Sequence, residues 1–224
     1  NRLQSVLHRY QIVPPSGKKL YHPDKHDWWL GLDISAIDKL CVKQELRLLA
    51  FANEMLDETT DQLHQLSLSD PWIKQMPFLI QLPGIGVMTA LVVLSAIGDV
   101  SRFPSAKKLV GYAGLGARVH ASGQSYRTGG ITKQGRKELR HALTEAAWAA
   151  VRHEPRWREQ FDRLAVRIGR HKAIVAIARK LLVVIWHVLA KQRVDRQAEP
   201  NRVVRFFLAW ARQAQAFKHL GINA

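Results

Sequence analysis

Apolar positions along the chain change period several times, and each change marks an element. From about Ser35 to Leu68 no helix breaker occurs, and Val42, Leu49, Leu56 and Leu63 recur every seven residues. Leu46, Asn53 and Thr60 occupy the other seam position, so the stretch predicts a long heptad helix with two polar seam residues. Such a helix either packs on its own domain or pairs with a second chain, where Asn53 would set the register. Ahead of it, Pro14, Pro15, Gly17, Pro23 and Gly31 predict a short helix followed by an irregular connection over 1–34. Behind Ser69-Asp70-Pro71, apolar helices are predicted over Trp72–Gln81 and from Val87 to about Ile97, with a shorter one over Ala106–Tyr112.

Residues 113–136 are glycine-rich and lack a long apolar run. Within them Ala117–His120 and Ser125–Thr128 flank Ser122-Gly123, the pattern of a small hairpin. Helices resume at Lys137–His153, Pro155–Ile168 and His171–Gln192, and a polar tract, 192–201, leads to an amphipathic helix over Val203–Phe217. The fold class is mainly α, with a small β-hairpin inserted in a helical domain. The divisions read as an N-terminal arm (1–34), a coiled-coil-like helix (35–70), a helical domain (71–192), and a linker with a terminal helix (193–224). The uninterrupted apolar run Leu181–Trp186 is far short of a membrane span.

Charge sharpens this picture. The 224 residues carry +16, but residues 1–100 hold a net −2 and residues 101–224 a net +18. Self-repulsion at that density disfavours a compact fold unless a polyanion neutralises it, which points first to nucleic acid and second to an anionic membrane. Nine cations between Arg152 and Lys180, Lys172 and Arg179 among them, crowd two helices. A single cysteine, Cys41, excludes a disulfide framework and is expected to be a buried small apolar residue beside the seam. Only His22 and His26 of the ten histidines have i,i+4 spacing, and Pro23 argues against a helix there, so no metal site is predicted. Trp148 and Trp186 fall on apolar helix faces and are expected in the core.

Two segments offer phosphate chemistry. In Leu82-Pro83-Gly84-Ile85-Gly86, Pro83 stops one apolar helix, and Gly84 and Gly86 permit a turn that side chains would obstruct. This is the pattern of a helix-hairpin-helix, in which Gly84, Ile85 and Gly86 present backbone N–H groups to a phosphate at the next helix's positive end. An ordinary glycine-capped connection reads the same way. In the second segment, Arg118, Arg127, Lys133, Arg136 and Lys137 supply cations with no acid between them, and Thr128 adds a hydroxyl. Ser122, with His120 two residues before it, could attack a phosphodiester, although Ser-Gly is also an ordinary turn dipeptide.

The order of these features resembles one family. The heptad helix, Leu-Pro-Gly-Ile-Gly, Phe103 through Tyr112-Ala113-Gly114-Leu115, Ala121-Ser122-Gly123-Gln124-Ser125, Lys133-x-Gly135 and Ala178-Arg179-Lys180-Leu181 follow one another over about 35–190. The set is similar to the insertion-sequence transposases of the one-ten and one-sixteen type, the bridge-RNA-guided recombinases. The resemblance implies a coiled-coil linker followed by a transposase domain in which Ser122 forms a phosphoserine link to DNA. It also implies DNA ends and target, a guide RNA, self-association through 35–68, and a place with the nucleoid in a prokaryotic cytoplasm.

The family also carries a ribonuclease-H-like resolvase domain whose acidic tetrad binds Mg2+. This chain opens on Asn1 and is expected to start after that domain, and Glu138, Glu145, Glu154, Glu159 and Asp162 do not replace the tetrad. Mg2+ is therefore expected there and no cofactor on this chain, which alone would not exchange strands. The alternatives are a non-catalytic helix-hairpin-helix DNA-binding protein and a basic adaptor for RNA or anionic membrane.

Overall fold

A computed structural model describes residues 2–15, 20–122 and 125–213, and of residues 120–122 and 125–128 the backbone only. Two compact units divide the chain at Gln62/Leu63. The first contains α1 (Arg2–Arg9), α2 (His26–Leu30) and most of the 31-residue α3 (Ala36–Leu66). Leu3, Val6 and Leu7 form the buried stripe of α1 and meet Trp29, Val42 and Leu46 in a small core. Ser35 caps the start of α3: the Asp38 N–H donates to Ser35 Oγ at 3.1 Å, the Ser35 hydroxyl donates to the Asp38 carboxylate, and the Ser35 N–H donates to the Tyr10 hydroxyl. Tyr10 donates to the same carboxylate at 2.6 Å, and that bond first, then Ser35, holds Asp38 below the usual carboxylate range.

Three expectations need correction in this unit. Residues 23–30 are helical, because Pro23 starts a 3-10 turn that α2 continues, and the His22 imidazole caps that turn by accepting from the Asp24 N–H. Cys41 is exposed, since it lies off the Val42–Leu46 stripe. The heptad seam is buried only at those two residues within this unit; Leu56 is 62% and the neighbouring Phe51 58% exposed.

The second unit comprises α4 (Met76–Ile80), α5 (Val87–Ile97), α6 (Ala106–Tyr112), β1 (Ala117–Ser122), β2 (Ser125–Ile131), α7 (Lys137–His153), α8 (Pro155–Ile168), α9 (Arg170–Lys191) and α10 (Pro200–Gln213). The helix expected over 72–81 is split into a 3-10 turn, 72–74, and α4. Pro77 is the reason: it cannot donate to the carbonyl four residues back, so a helix must restart at its first turn. The core is laid on α9, whose Ile174, Ile177, Ala178, Leu181, Leu182 and Ile185 are buried among α6, α7 and α8. By length and composition alone α9 could cross a membrane, yet half of its most apolar stretch is buried in this core. Trp148 and Trp186 pack against that core half-buried, and the Trp186 indole donates to the Phe103 carbonyl at 2.9 Å. At the ends of the unit, the Trp210 indole of α10 donates to the buried Ser67 hydroxyl at 2.8 Å.

Candidate nucleic-acid interface

The turn between α4 and α5 divides its residues between two tasks. Gly84 has φ +82°, and a Cβ there would stand 2.2 Å from the Ala146 carbonyl oxygen and 2.7 Å from the Ala150 nitrogen. Its glycine is required by close contact with the α7 backbone. Ile85 is 5% exposed and its N–H donates to Leu82, so it serves the core. Gly86 is different: it caps α5, and a Cβ there would meet nothing within 4 Å. The N–H groups of Gly86, Val87, Met88 and Thr89 find no acceptor among the described residues and mark the positive end of α5. His153 of α7 and Arg205 of α10 line the depression over this turn, a pairing that the sequence hides because both are distant from residue 86.

The hairpin is built as an extension of the glycine-rich segment. β1 and β2 pair antiparallel, from Ala117 opposite Ile131 to Ser122 opposite Ser125. Gly123 and Gln124 lie outside the described residues, as do the side chains of Ser122, Arg127 and Thr128. The register shifts between Ala117 and Val119, so Gly129 and Gly130 together oppose Arg118 as a bulge at the hairpin's root. The root is anchored below: Thr132 N–H donates to Gly116 at 2.9 Å and Lys133 N–H to Gly114 at 3.1 Å. A Cβ on Gly135 would stand 2.2 Å from the Tyr112 carbonyl oxygen, so that glycine also serves packing. Arg140 of α7 locks the segment by donating to the carbonyls of Ala113 at 3.2 Å and Gly135 at 2.9 Å.

The cations of this segment separate accordingly. Arg136 donates to the Tyr112 hydroxyl at 3.2 Å, and this contact first raises its guanidinium above the ordinary value. It works as a brace between the α7 start and α6. Lys137 is exposed at the first turn of α7. Arg118 and Lys133 face a cleft of about 580 Å3 between the hairpin root and α9, where Lys172 and Arg179 join them.

Of the nine cations between Arg152 and Lys180, several are engaged within the unit. Arg156 lies over Trp157 and near Asp195, Arg170 over Phe161, and Arg163 pairs with Glu159 at 3.4 Å. Arg158 donates to the Arg152 carbonyl and Lys180 to Gln160. Arg152, Arg167, Lys172 and Arg179 have no side-chain partner among the described residues, and only the last two line the cleft. Their i, i+7 spacing around Val175 and Ala176 is the signal that would have singled them out. Among the described residues no three His, Cys, Asp or Glu side chains converge to hold a metal ion.

Residues 76–162, from α4 into α8 and through the whole hairpin, match the transposase IS116/IS110/IS902 family. An insertion element IS110 uncharacterized 43.6 kDa protein of Streptomyces coelicolor is 34% identical over 114 residues, covering 50% of this chain and 28% of its own length. The transposase for insertion sequence element IS1111A of Coxiella burnetii is 34% identical over 119 residues, 51% of this chain and 33% of its own. A pilin gene-inverting protein of Moraxella bovis is 36% identical over 146 residues, 63% of this chain and 45% of its own. The chain thus matches less than half the length of each of these relatives. The similarity to the IS116/IS110/IS902 transposases is thus carried by the segment that bears the α4–α5 turn and the hairpin.

Proposed function

We propose that this chain is the DNA-binding and serine-bearing part of an insertion-sequence transposase that works through a phosphoserine–DNA intermediate. The observation that carries the reading is the family match running through a hairpin that ends its ladder at Ser122 and is rooted in a cleft lined by cations without a carboxylate. In the proposed step, Ser122 Oγ bonds to the phosphorus of a DNA phosphodiester, its proton passes to a base, and the bond to one deoxyribose oxygen breaks. That oxygen leaves as a hydroxyl. The phosphoserine keeps the phosphate as a diester, so a DNA hydroxyl can displace the serine and rejoin a strand without an external energy source. Breaking and rejoining of this kind also fits a relative named for inverting a pilin gene.

Among the described residues no three His, Cys, Asp or Glu side chains converge on a place for magnesium, and no step is routed through it here. The acidic residues that hold it belong, in this reading, to a resolvase-like domain supplied alongside. Insertion-sequence ends and target DNA are the proposed partners, with a guide RNA, beside the chromosome of a prokaryotic cell. Gly86 offers backbone N–H groups to a DNA phosphate, with Arg205 nearby. Self-association runs through residues 35–68, supported by the exposure of Phe51 and Leu56 on α3. Leu56→Glu is expected to shift the chain to monomer in light scattering, and an unchanged mass would remove that part of the reading.

The decisive experiment is covalent trapping. The chain is incubated with donor DNA, guide RNA, magnesium and the resolvase-like domain of a related transposase, then run on a denaturing gel. An adduct abolished by Ser122→Ala is expected. DNA binding without any adduct would favour the second reading, a non-catalytic helix-hairpin-helix DNA-binding protein, which the four open N–H groups of α5 support by themselves.

A further inference from the structure

We propose that the cleft between the hairpin root and the first three turns of α9 binds a single strand of DNA. The proposal rests on the reading above that DNA is the partner, and it assigns α9 a role that lies outside the matched segment 76–162.

Charge supplies the first argument. Arg118, Lys133, Lys172 and Arg179 all line the cleft, all are exposed, and none of their side chains has an ion-pair or hydrogen-bond partner among the described residues. Among the described residues no carboxylate lines it. The local field makes the same point: Arg170, His171 and Lys172 occupy the first turn of α9, with no acidic residue there. Cations at the positive end of a helix repel its dipole, and an anion resting among them reverses the sign of that interaction.

Shape supplies the second argument. Ile131, Val175 and Ala176 are half-buried and give the cleft an apolar floor between its cations. Lys172, Val175, Ala176 and Arg179 form one i, i+3, i+4, i+7 stripe, with charges at its ends and apolar groups between. Phosphates on the rim with a sugar edge or base face on the floor is the contact that a strand can make and an isolated phosphate cannot. A space of about 580 Å3 falls in the range of pockets that hold one small ligand, a scale that suits a short segment of a single strand.

Construction supplies the third. Lys133 holds a left-handed φ of 58° and its N–H bonds to Gly114, so its backbone at the rim is fixed before a ligand arrives. Ser122 stands five residues along β1 from Ala117 at the cleft, a span of about 17 Å. A strand gripped at the root therefore lies within reach of the hairpin that carries the proposed nucleophile.

The test is fluorescence anisotropy of the full chain with a labelled twelve-nucleotide oligo(dT), a duplex of equal length and an oligo(U) strand. Ala176→Trp fills the floor without changing charge, and Lys172→Glu with Arg179→Glu reverses the rim. Arg152→Glu with Arg167→Glu makes the same charge change at unpartnered cations outside the cleft. The expected result is at least about a tenfold loss of oligo(dT) affinity for Ala176→Trp and for the rim pair, with the outside pair within about threefold of wild type. The rim pair also flattens the salt dependence by about 1.4 in slope, two phosphate contacts of a single strand.

Thermal unfolding checks the fold of each variant. Should Ala176→Trp unfold, the two glutamate pairs, which change exposed residues only, decide between the cleft and its surroundings. Equal losses for the two pairs, wild-type binding by a folded Ala176→Trp, or tighter binding of oligo(U) that Ala176→Trp abolishes would each overturn the proposal. Failure of the wild type to bind any DNA would remove the functional reading as well, an outcome distinct from a failure of the cleft variants alone.

Discussion

The α4–α5 turn and the segment 113–136 are both rich in glycine, and both read as phosphate sites in the sequence, but their glycines divide alike and their donors do not. In the turn, Gly84 is pressed against the α7 backbone while Gly86 faces open space. In the segment, Gly135 is pressed against the Tyr112 carbonyl while Gly130 faces open space. Part of each glycine signature therefore records close packing. The donors differ in kind: the turn presents backbone N–H groups at a helix end, and the segment presents long cationic side chains beside α9. A site of the first kind fixes where a phosphate sits; one of the second kind gathers charge and sets salt sensitivity.

The largest effect that would separate packing from binding is expected at the pressed glycines. Gly84→Ala or Gly135→Ala should cost about 2–5 kcal/mol, from a disfavoured backbone conformation and overpacking, and lower the melting temperature by about 5–15 °C. A melt within a degree of wild type would show that these positions are open. Next is Arg140, whose guanidinium ties Ala113 and Gly135. Arg140→Ala should destabilise by about 1.5–3 kcal/mol in urea unfolding, with the segment's amides exchanging faster than those of α5. If α5 loosens equally, the segment is not a separate device.

Gly86→Ala is expected to leave stability within about 0.5 kcal/mol, since its Cβ meets nothing, while weakening duplex binding by hindering backbone approach. Unchanged duplex binding would assign the turn to packing alone. The smallest effect on the fold belongs to Ser122→Ala, which should melt as the wild type does and lose only the covalent adduct.

Most elements were legible because their period and breakers are local. Capping of α3 by Ser35 and Asp38, the starts of α7 and α8, and the paired strands all follow from nearby residues. Pro77 was visible too, and its position predicts the break that splits the 72–81 stretch. What the sequence does not disclose is which partner a residue meets across the fold. Arg136 resembles its basic neighbours until Tyr112 is placed against it, and Lys172 and Arg179 resemble seven other cations until α9 is laid beside the hairpin root. Seam residues such as Leu56 carry the mirror of that problem: their pattern is plain, and no residue of the first unit buries them.

The hydrogen bond between Trp210 and Ser67 joins positions 143 residues apart, at the opening and the close of the second unit. A chain buckled in this way behaves as a belt rather than a ribbon: releasing either end exposes a buried indole or a buried hydroxyl, so neither end frays without cost. A cut just inside the buckle forfeits the closure.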